Sequence, residues 1–317
     1  MSPAQKPRPS VVAPGNHDGV HLGHRALIDA AKDRAARDGL LTLAMFFDPH
    51  PTQVLAPERA PTLLTLPERR ATLLEGAGAD RVLILPFDAE FASTPPRAFA
   101  ERVLRDACNA RCVVVGPDFH FGAGRSGNVE TLRELGRELG YDVIVVPPVL
   151  YEGEPSSSTR IRKLLLAGEV EEAAGMLRRV HDVSGEVIEG QRRGRTIGFP
   201  TANLAVDPVL LPADGVYAVV GRRLEPSPGP LLHGVANLGV RPTLAAGRSV
   251  EVHFFDFDGD LYGARMRVGF VARLRTEKKF TGIDALRAQI ALDAEEARSR
   301  LAAATADPAR RERLTWV

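Results

Sequence analysis

Residues 15–24 read Gly15-Asn16-His17-Asp18-Gly19-Val20-His21-Leu22-Gly23-His24, directly after the apolar run Val11-Val12-Ala13. A short Val-rich run, then glycines, then a helical pattern reads as strand, loop and helix N-terminus. In open parallel sheets ligands sit at the carboxyl ends of strands. A helix N-terminus there offers free N–H groups and a partial positive charge, both favourable to phosphate. Gly15, Gly19 and Gly23 let backbone and ligand approach closely. The spacing is neither G-x-G-x-x-G nor G-x-x-x-x-G-K-[ST], so no dinucleotide fingerprint or P-loop is present. His21 and His24, three apart, share a helix face. Two chemistries fit them. His17, His21 and His24 have metal-ligand spacing, or His21 and His24 donate hydrogen bonds to phosphate oxygens. A metal-hydrolase pattern of the H-E-x-x-H kind lacks its glutamate here.

Outward from this stretch, short apolar runs alternate with helical patterns as far as about Arg179. The runs are Val11–Ala13, Leu40–Phe47, Arg81–Leu85, Cys112–Val115 and Asp142–Val146. Their Val, Ile and Leu content suits strands buried on both faces. Between the first two, Leu27, Ala30, Ala31 and Ala35 repeat on one helix face, and Gly39 suits a C-terminal cap. Pro67 opens a second helix and Asn128 caps a third. The alternation predicts a parallel sheet covered by helices. After about Val180, candidate strands follow one another at Ser184–Ile188, Val216–Val220, Gly234–Ala236, Val250–Phe255 and Met266–Ala272. Turn signals at 226–230, 246–247 and 258–260 separate them, so a mainly antiparallel barrel or sandwich is expected, closed by a helix over about 284–303. The expected domains are 1–180 and 181–317.

The chain has 317 residues, 44% hydrophobic and 26% charged, with net charge +1, which supports two packed cores and no broad nucleic-acid-binding surface. Cys108 and Cys112 form a lone C-x3-C pair, too few for a zinc site and best read as reduced thiols. The polar start MSPAQKPRPS has no secretory pattern, and no apolar run approaches the ~18 residues of a membrane span. A cytoplasmic, reducing setting without membrane partners is expected. Nothing in the sequence specifies an oligomeric state.

Three further segments of the first half invite chemistry. Asp48-Pro49-His50-Pro51 ends a buried strand, where prolines stop pairing. Phe119 and Phe121 alternate with Asp118, offering a flat ring an aromatic wall and an acceptor, or simply packing in the core. Ser158-Thr159 before Arg160 and Arg162 sets hydroxyls at a helix start with guanidiniums following, which suits a polyphosphate or an ordinary N-cap with solvated arginines. In the second half, Arg192, Gly194 and Arg195 make a phosphate-friendly loop. Thr201 and Asn203 follow as neutral oxygen ligands of the kind Mg2+ prefers, or as turn formers. In Val250-Glu251-Val252-His253-Phe254, Glu251 and His253 share one strand face. Beside apolar neighbours Glu251 would gain basicity by desolvation; the alternative is a barrel-rim salt bridge.

His21-Leu22-Gly23-His24 resembles the H-x-G-H motif of nucleotidylyltransferases. The longer stretch, with FFDPHP (46–51), GPDFHFGAGRSGN (116–128) and SSSTRIR (156–162), resembles the bacterial bifunctional riboflavin kinase/FMN adenylyltransferase family. GFPTAN (198–203), GVANLGVRPT (234–243) and VEVHFFDFDGDLYG (250–263) resemble its kinase half in the same order. Position 17 carries His where the family usually has Phe, and position 120 His where Arg is common.

The resemblance implies a nucleotidylyltransferase-like domain over 1–180 and a riboflavin kinase barrel over 181–317, which convert riboflavin to FMN and FMN to FAD with ATP and Mg2+. It implies that His21 and His24 are catalytic in the first domain. Gly15, Asn16, Asp18, Gly23, Ser158, Thr159, Arg160 and Arg162 would bind ATP there, and Asp48, His50, Pro51, Asp118, Phe119 and Phe121 the flavin. In the second, Glu251 would be the catalytic base, Thr201 and Asn203 the metal ligands, and Gly194 and Arg195 phosphate ligands. The rival readings are a flavin-binding regulator with decayed sites, or another nucleotidylyltransferase fused to a ligand-binding barrel.

Overall fold

The computed structural model describes residues 7–190, 198–240 and 248–315. The chain divides into two compact units, Met1–Ser158 and Thr159–Val317.

In the first unit five parallel strands form one sheet: β1 (Ser10–Pro14), β2 (Leu41–Asp48), β3 (Arg81–Pro86), β4 (Ala110–Val115) and β5 (Asp142–Val145), in the order β3-β2-β1-β4-β5. The five apolar runs of the sequence are these strands to within two residues. The order reverses between β1 and β4, so a crevice opens where the chain leaves the end of β1. β1 is buried at all five positions.

Helix α1 (Leu22–Asp38) follows β1 and stops at Gly39, whose φ of 67° is the left-handed cap glycine adopts without strain. The face it buries is Ile28, Ala31 and Ala35; Leu27 and Ala30, assigned to that face from the sequence, are only half-buried. The sheet under the helix takes Ile28 rather than Leu27. Two short helices follow, α2 (Pro51–Leu55) after β2 and α3 (Pro67–Gly76) before β3, the latter with Pro67 in its first turn. Helices α4 (Ala89–Ala92) and α5 (Pro96–Phe99) lead to β4, the second continued by a π-helical run over Ala100–Ala107. Helix α6 (Val129–Leu139) is capped by Asn128, whose Oδ1 accepts from Thr131 N. One face of the sheet packs Val12, Met45, Val113 and Val115 against Phe99, Leu104 and Leu132. A two-stranded hairpin, β6 (Leu150–Tyr151) and β7 (Glu154–Pro155), ends the unit. Cys108 and Cys112 are unpaired and buried, and burial pushes their thiols up to about 12 and about 11.

The second unit opens with α7 (Ser158–Ala167) and α8 (Val170–Leu177). A closed antiparallel barrel follows: β8 (His181–Ile188), β9 (Ala202–Val206), β10 (Gly215–Glu225), β11 (Leu232–Val240), β12 (Arg248–Phe254) and β13 (Arg265–Arg275), in the order β10-β11-β12-β9-β8-β13. Strand β9 falls where the sequence suggested a turn. Helix α9 (Ile283–Ala306) lays Ala297, Leu301 and Ala304 against Val216, Ala218 and Val220 of β10, and α10 (Pro308–Leu314) adds Leu314. Truncating a side chain so enclosed, Leu301 for example, typically costs about 2–5 kcal/mol.

Candidate active sites

Three sequence motifs of the first unit lie at the carboxyl ends of three adjacent strands. Residues 15–21 leave β1, Asp48–Pro51 leave β2, and 116–121 leave β4. The loop after β1 is wound tightly. His17, Val20 and Gly19 have φ of 50°, 47° and 88°, and Val20 N donates to His17 O at 3.0 Å. A β-branched residue such as Val20 at positive φ is strained and persists only where its surroundings hold it.

What holds it is a buried polar core. Asp18 accepts from Leu64 N (3.0 Å), Thr65 N (3.0 Å) and Thr65 Oγ1 (3.0 Å). Gly19 N donates to Thr65 Oγ1 at 3.1 Å. The guanidinium of Arg70, 1% exposed, donates to Asn16 O (3.0 Å), Thr65 O (2.9 Å) and Asp18 Oδ1 (3.3 Å), and lies 4.8 Å from the centre of the Phe46 ring. Asp18, expected on the phosphates, instead points into the protein and fixes the loop. Arg70 and Thr65 were not singled out in the sequence, because Arg70 lies in a helical pattern that reads as solvent-facing.

The three imidazoles sit together on this support. His21 is the N-cap of α1, and its Nδ1 accepts from Gly23 N at 3.1 Å. That bond leaves the proton of the neutral ring on Nε2, a donor. The His21 and His24 rings stack with centroids 3.8 Å apart and planes inclined by 26°. His17, fully buried, stands edge-on to His24 at 5.1 Å and shares a hydrogen bond with Ala13 O through Nε2 at 3.0 Å. Burial lowers the His17 imidazole to about 4, and burial with His21, His17 and Arg70 nearby holds His24 well below 6.5. Among the described residues no cluster of His, Cys, Asp and Glu is arranged to hold a metal ion. Gly15 and Gly23 accommodate the protein's own rings: a Cβ on Gly15 would come within 3.0 Å of His17 Cε1, and one on Gly23 within 3.0 Å of His21 Cε1.

The segment 156–158 joins the same loop. Ser156 Oγ lies 3.5 Å from His21 Nδ1, and Ser158 Oγ donates to Asp18 O at 2.8 Å. Beyond it, in the second unit, Thr159 is exposed and Arg160 pairs with Glu172 at 2.8 Å. Arg162 is half-buried on α7. At the end of β2, Asp48 is exposed and His50 caps α2, its Nδ1 accepting from Thr52 N. Pro51 begins that helix. At the end of β4, Asp118 is exposed. Phe119 is half-buried and stacks on Phe121 at 5.6 Å. Phe121, 6% exposed, backs onto Phe99 in the core.

The second unit places Glu251, Thr201 and Asn203 by strand register. Glu251 on β12 pairs with Asn203 on β9 and with Asn237 on β11. As cross-strand partners, Asn203 and Glu251 project from one face, and Thr201 lies just before β9. Val250, Val252 and Phe254 are buried on the opposite face. His253 Nδ1 is 2.8 Å from Pro200 O, which tethers the residue before Thr201. Asn203 is 6% exposed, and Gly190 abuts it so closely that a Cβ there would fall 2.1 Å from Asn203 Nδ2. Gly194 and Arg195, with Arg192, lie outside the described residues.

Two family models match the chain, FAD synthetase over residues 4–160 and riboflavin kinase over 177–301. The bifunctional riboflavin kinase/FMN adenylyltransferase of Escherichia coli K12 is 38% identical over 89% of this chain and 90% of its own length. The chain belongs to the bifunctional riboflavin kinase/FMN adenylyltransferase family. Its Bacillus subtilis member is 37% identical over 91% of each chain. A solved structure described as a macrolide-efflux protein of Streptococcus pneumoniae superposes with a TM-score of 0.84 at 34% identity, covering 93% of this chain and 96% of that one. Among the described residues of the present family member, no helix is long and apolar enough to cross a membrane.

Proposed function

We propose that this chain makes FAD in two ATP-dependent steps, phosphorylating riboflavin in the barrel unit and adenylylating FMN in the sheet unit. The observation that carries the reading is the pairing of Glu251 with Asn203 across β12 and β9, in the same chain as the stacked His21–His24 pair at the start of α1. One arrangement presents a carboxylate beside neutral oxygen ligands; the other presents donors and no base.

In the barrel unit the 5′-hydroxyl oxygen of riboflavin bonds to the γ-phosphorus of ATP, and the bond to the ADP oxygen breaks. A hydroxyl is a poor nucleophile, so Glu251 accepts its proton. The Thr201 hydroxyl and the Asn203 amide oxygen are hard, neutral donors, which fits a magnesium ion carried by the nucleotide. When bound, that ion supplies neutralisation of phosphate charge. Gly190 leaves room for Asn203, and His253 tethers Pro200, the residue before Thr201.

In the sheet unit an FMN phosphate oxygen bonds to the α-phosphorus of a second ATP, and pyrophosphate leaves. This nucleophile is already anionic, so alignment and donors are required rather than a base. His21 Nε2–H, His24 and the N-terminus of α1 supply the donors, with Ser158 as a further phosphate ligand. Asp48, His50, Pro51, Asp118 and Phe119 border the flavin, and Phe121 supports Phe119 from behind. The nucleotide bound here would carry magnesium as well. Two buried, unpaired thiols suit a reducing compartment such as the cytoplasm.

Purified protein incubated with riboflavin, ATP and magnesium, with flavins resolved by chromatography over time, is expected to yield FMN and then FAD. Riboflavin left unchanged, together with supplied FMN left without adenylate, would overturn the reading.

A further inference from the structure

Two buried imidazole nitrogens beside the adenylyl-transfer site have no hydrogen-bond partner: Nδ1 of His17 and Nδ1 of His24. An unpaired polar atom sealed from water is costly, and such atoms in a folded protein call for an explanation. The two rings are neighbours, with centroids 5.1 Å apart and planes at 80°. A ring nitrogen stands about 1.1 Å from its centroid, so rings at this separation can bring one nitrogen of each to about 3 Å, hydrogen-bond distance. The two Nδ1 atoms are not bonded to each other in this edge-on arrangement, and a turn of the His24 ring is what would aim its nitrogen at His17.

The protonation of His17 is fixed. Its Nε2 faces the Ala13 carbonyl, which only accepts, so Nε2 carries the proton and Nδ1 presents a lone pair. Its ring is held by a left-handed backbone at φ 50° and by Gly15, which lacks the Cβ that would press on it.

Resting on the adenylyltransfer reading of this site, we propose that His17 is a positioning residue: its Nδ1 accepts a hydrogen bond from His24 Nδ1–H once polyphosphate is bound, so that His24 acts as an oriented imidazolium. Bound phosphates attract a proton from solvent to His24. Its Nε2–H then faces a phosphate oxygen and its Nδ1–H faces His17. The proton returns to solvent when pyrophosphate departs, so the cycle balances. Burial and the neighbouring His21, His17 and Arg70 favour the neutral form of His24.

The test compares His17→Phe, which keeps the aromatic volume and removes the acceptor, with His17→Asn. Asn places an oxygen acceptor where Nδ1 stands and tolerates positive φ. Both are assayed for FMN adenylylation and, in the same tubes, for riboflavin phosphorylation, which reports on the other unit. His17→Phe is expected to lower kcat for adenylylation by about 10- to 100-fold, the scale of bonds that orient ligand-binding imidazoles. Its alkaline limb of kcat should move to lower pH, since an imidazolium without its acceptor loses its proton more readily; the other groups facing His24 are His21 and Arg70, unchanged in both variants. His17→Asn is expected to recover most of the rate and the original limb. Independently of any variant, 15N-histidine spectra of the wild-type chain with α,β-methylene-ATP and magnesium should show a proton on His24 Nδ1 bonded to His17 Nδ1. Absence of that bond, full activity of His17→Phe, or equal loss in Phe and Asn overturns the inference while FAD synthesis by the wild type stands. A wild type that adenylates no FMN overturns the functional reading and this inference with it.

Discussion

Arg70 and Asp18 meet beneath the histidine loop, Nη2 to Oδ1 at 3.3 Å, with both side chains at most 3% exposed. Asp18 accepts from Leu64 N and Thr65 N, and Arg70 donates to Asn16 O, so neither charge is left to the low dielectric alone. Removing one partner strands the other. Arg70→Met is expected to destabilise the first unit by about 3–5 kcal/mol. Thermal unfolding of the full chain should show an earlier transition, with FMN adenylylation lost before riboflavin phosphorylation as temperature rises.

The two chemical steps should separate by mutation. Glu251→Gln keeps shape and removes the base, and is expected to reduce FMN formation from riboflavin by about 10²–10⁴-fold, the usual contribution of general base catalysis. Conversion of supplied FMN to FAD should survive. His24→Ala is expected to do the reverse, with accumulation at FMN and a loss in adenylylation on the order of 10²–10³-fold, typical for a donor to developing charge. Chromatography of the flavin products reads both; loss of both steps in either variant would contradict separate sites.

Gly190→Ala probes the proposed metal ligand Asn203 without replacing it. Its methyl would overlap the Asn203 amide, since an ideal Cβ lies 2.1 Å from Nδ2. The Asn203 amide must then shift from its position beside Glu251. A raised KM for magnesium-ATP in riboflavin phosphorylation, on the order of 10-fold for a displaced ligand-supporting group, is expected, with adenylylation unchanged.

The histidine cluster also sets a pH dependence of stability. His17 is held at about 4 in the folded state, chiefly by burial, against an ordinary 6.5. Between these values the unfolded chain binds a proton that the folded chain does not, so stability rises with pH there. It is therefore complete above about 6.5 and lost progressively as pH falls towards 4, with His24 acting in the same direction. Thermal midpoints at pH 7 and pH 5 measure the drop, and His17→Phe should shrink it.

The parts of this architecture that were legible in the sequence are those set by local chemistry. Gly39 and Asn128 mark helix ends because one tolerates φ of 67° and the other supplies a capping oxygen. The period-two pattern of 250–254 predicts which side of β12 is buried. Misreadings arise where distant segments decide. Pro200-Thr201 looks like a turn, yet Ala202–Val206 becomes strand β9 because β8 and β12 lie on either side to pair with it. Leu27 and Ile28 both suit an amphipathic helix, and only the sheet chooses Ile28. Asp18 looks like a phosphate-loop residue, and only the chain at 64–70 turns it inward.

Closure of the barrel bears on how two enzymes can share one polypeptide. Every barrel strand has hydrogen-bonded neighbours on both sides, so among the described residues that barrel has no edge strand onto which a partly folded copy could add. The parallel sheet does have outer strands, but β3 is bounded by Arg81 and Pro86, a charge and a residue without an N–H, which discourage templated growth. Joining the two units in one chain raises the local concentration of successive catalysts.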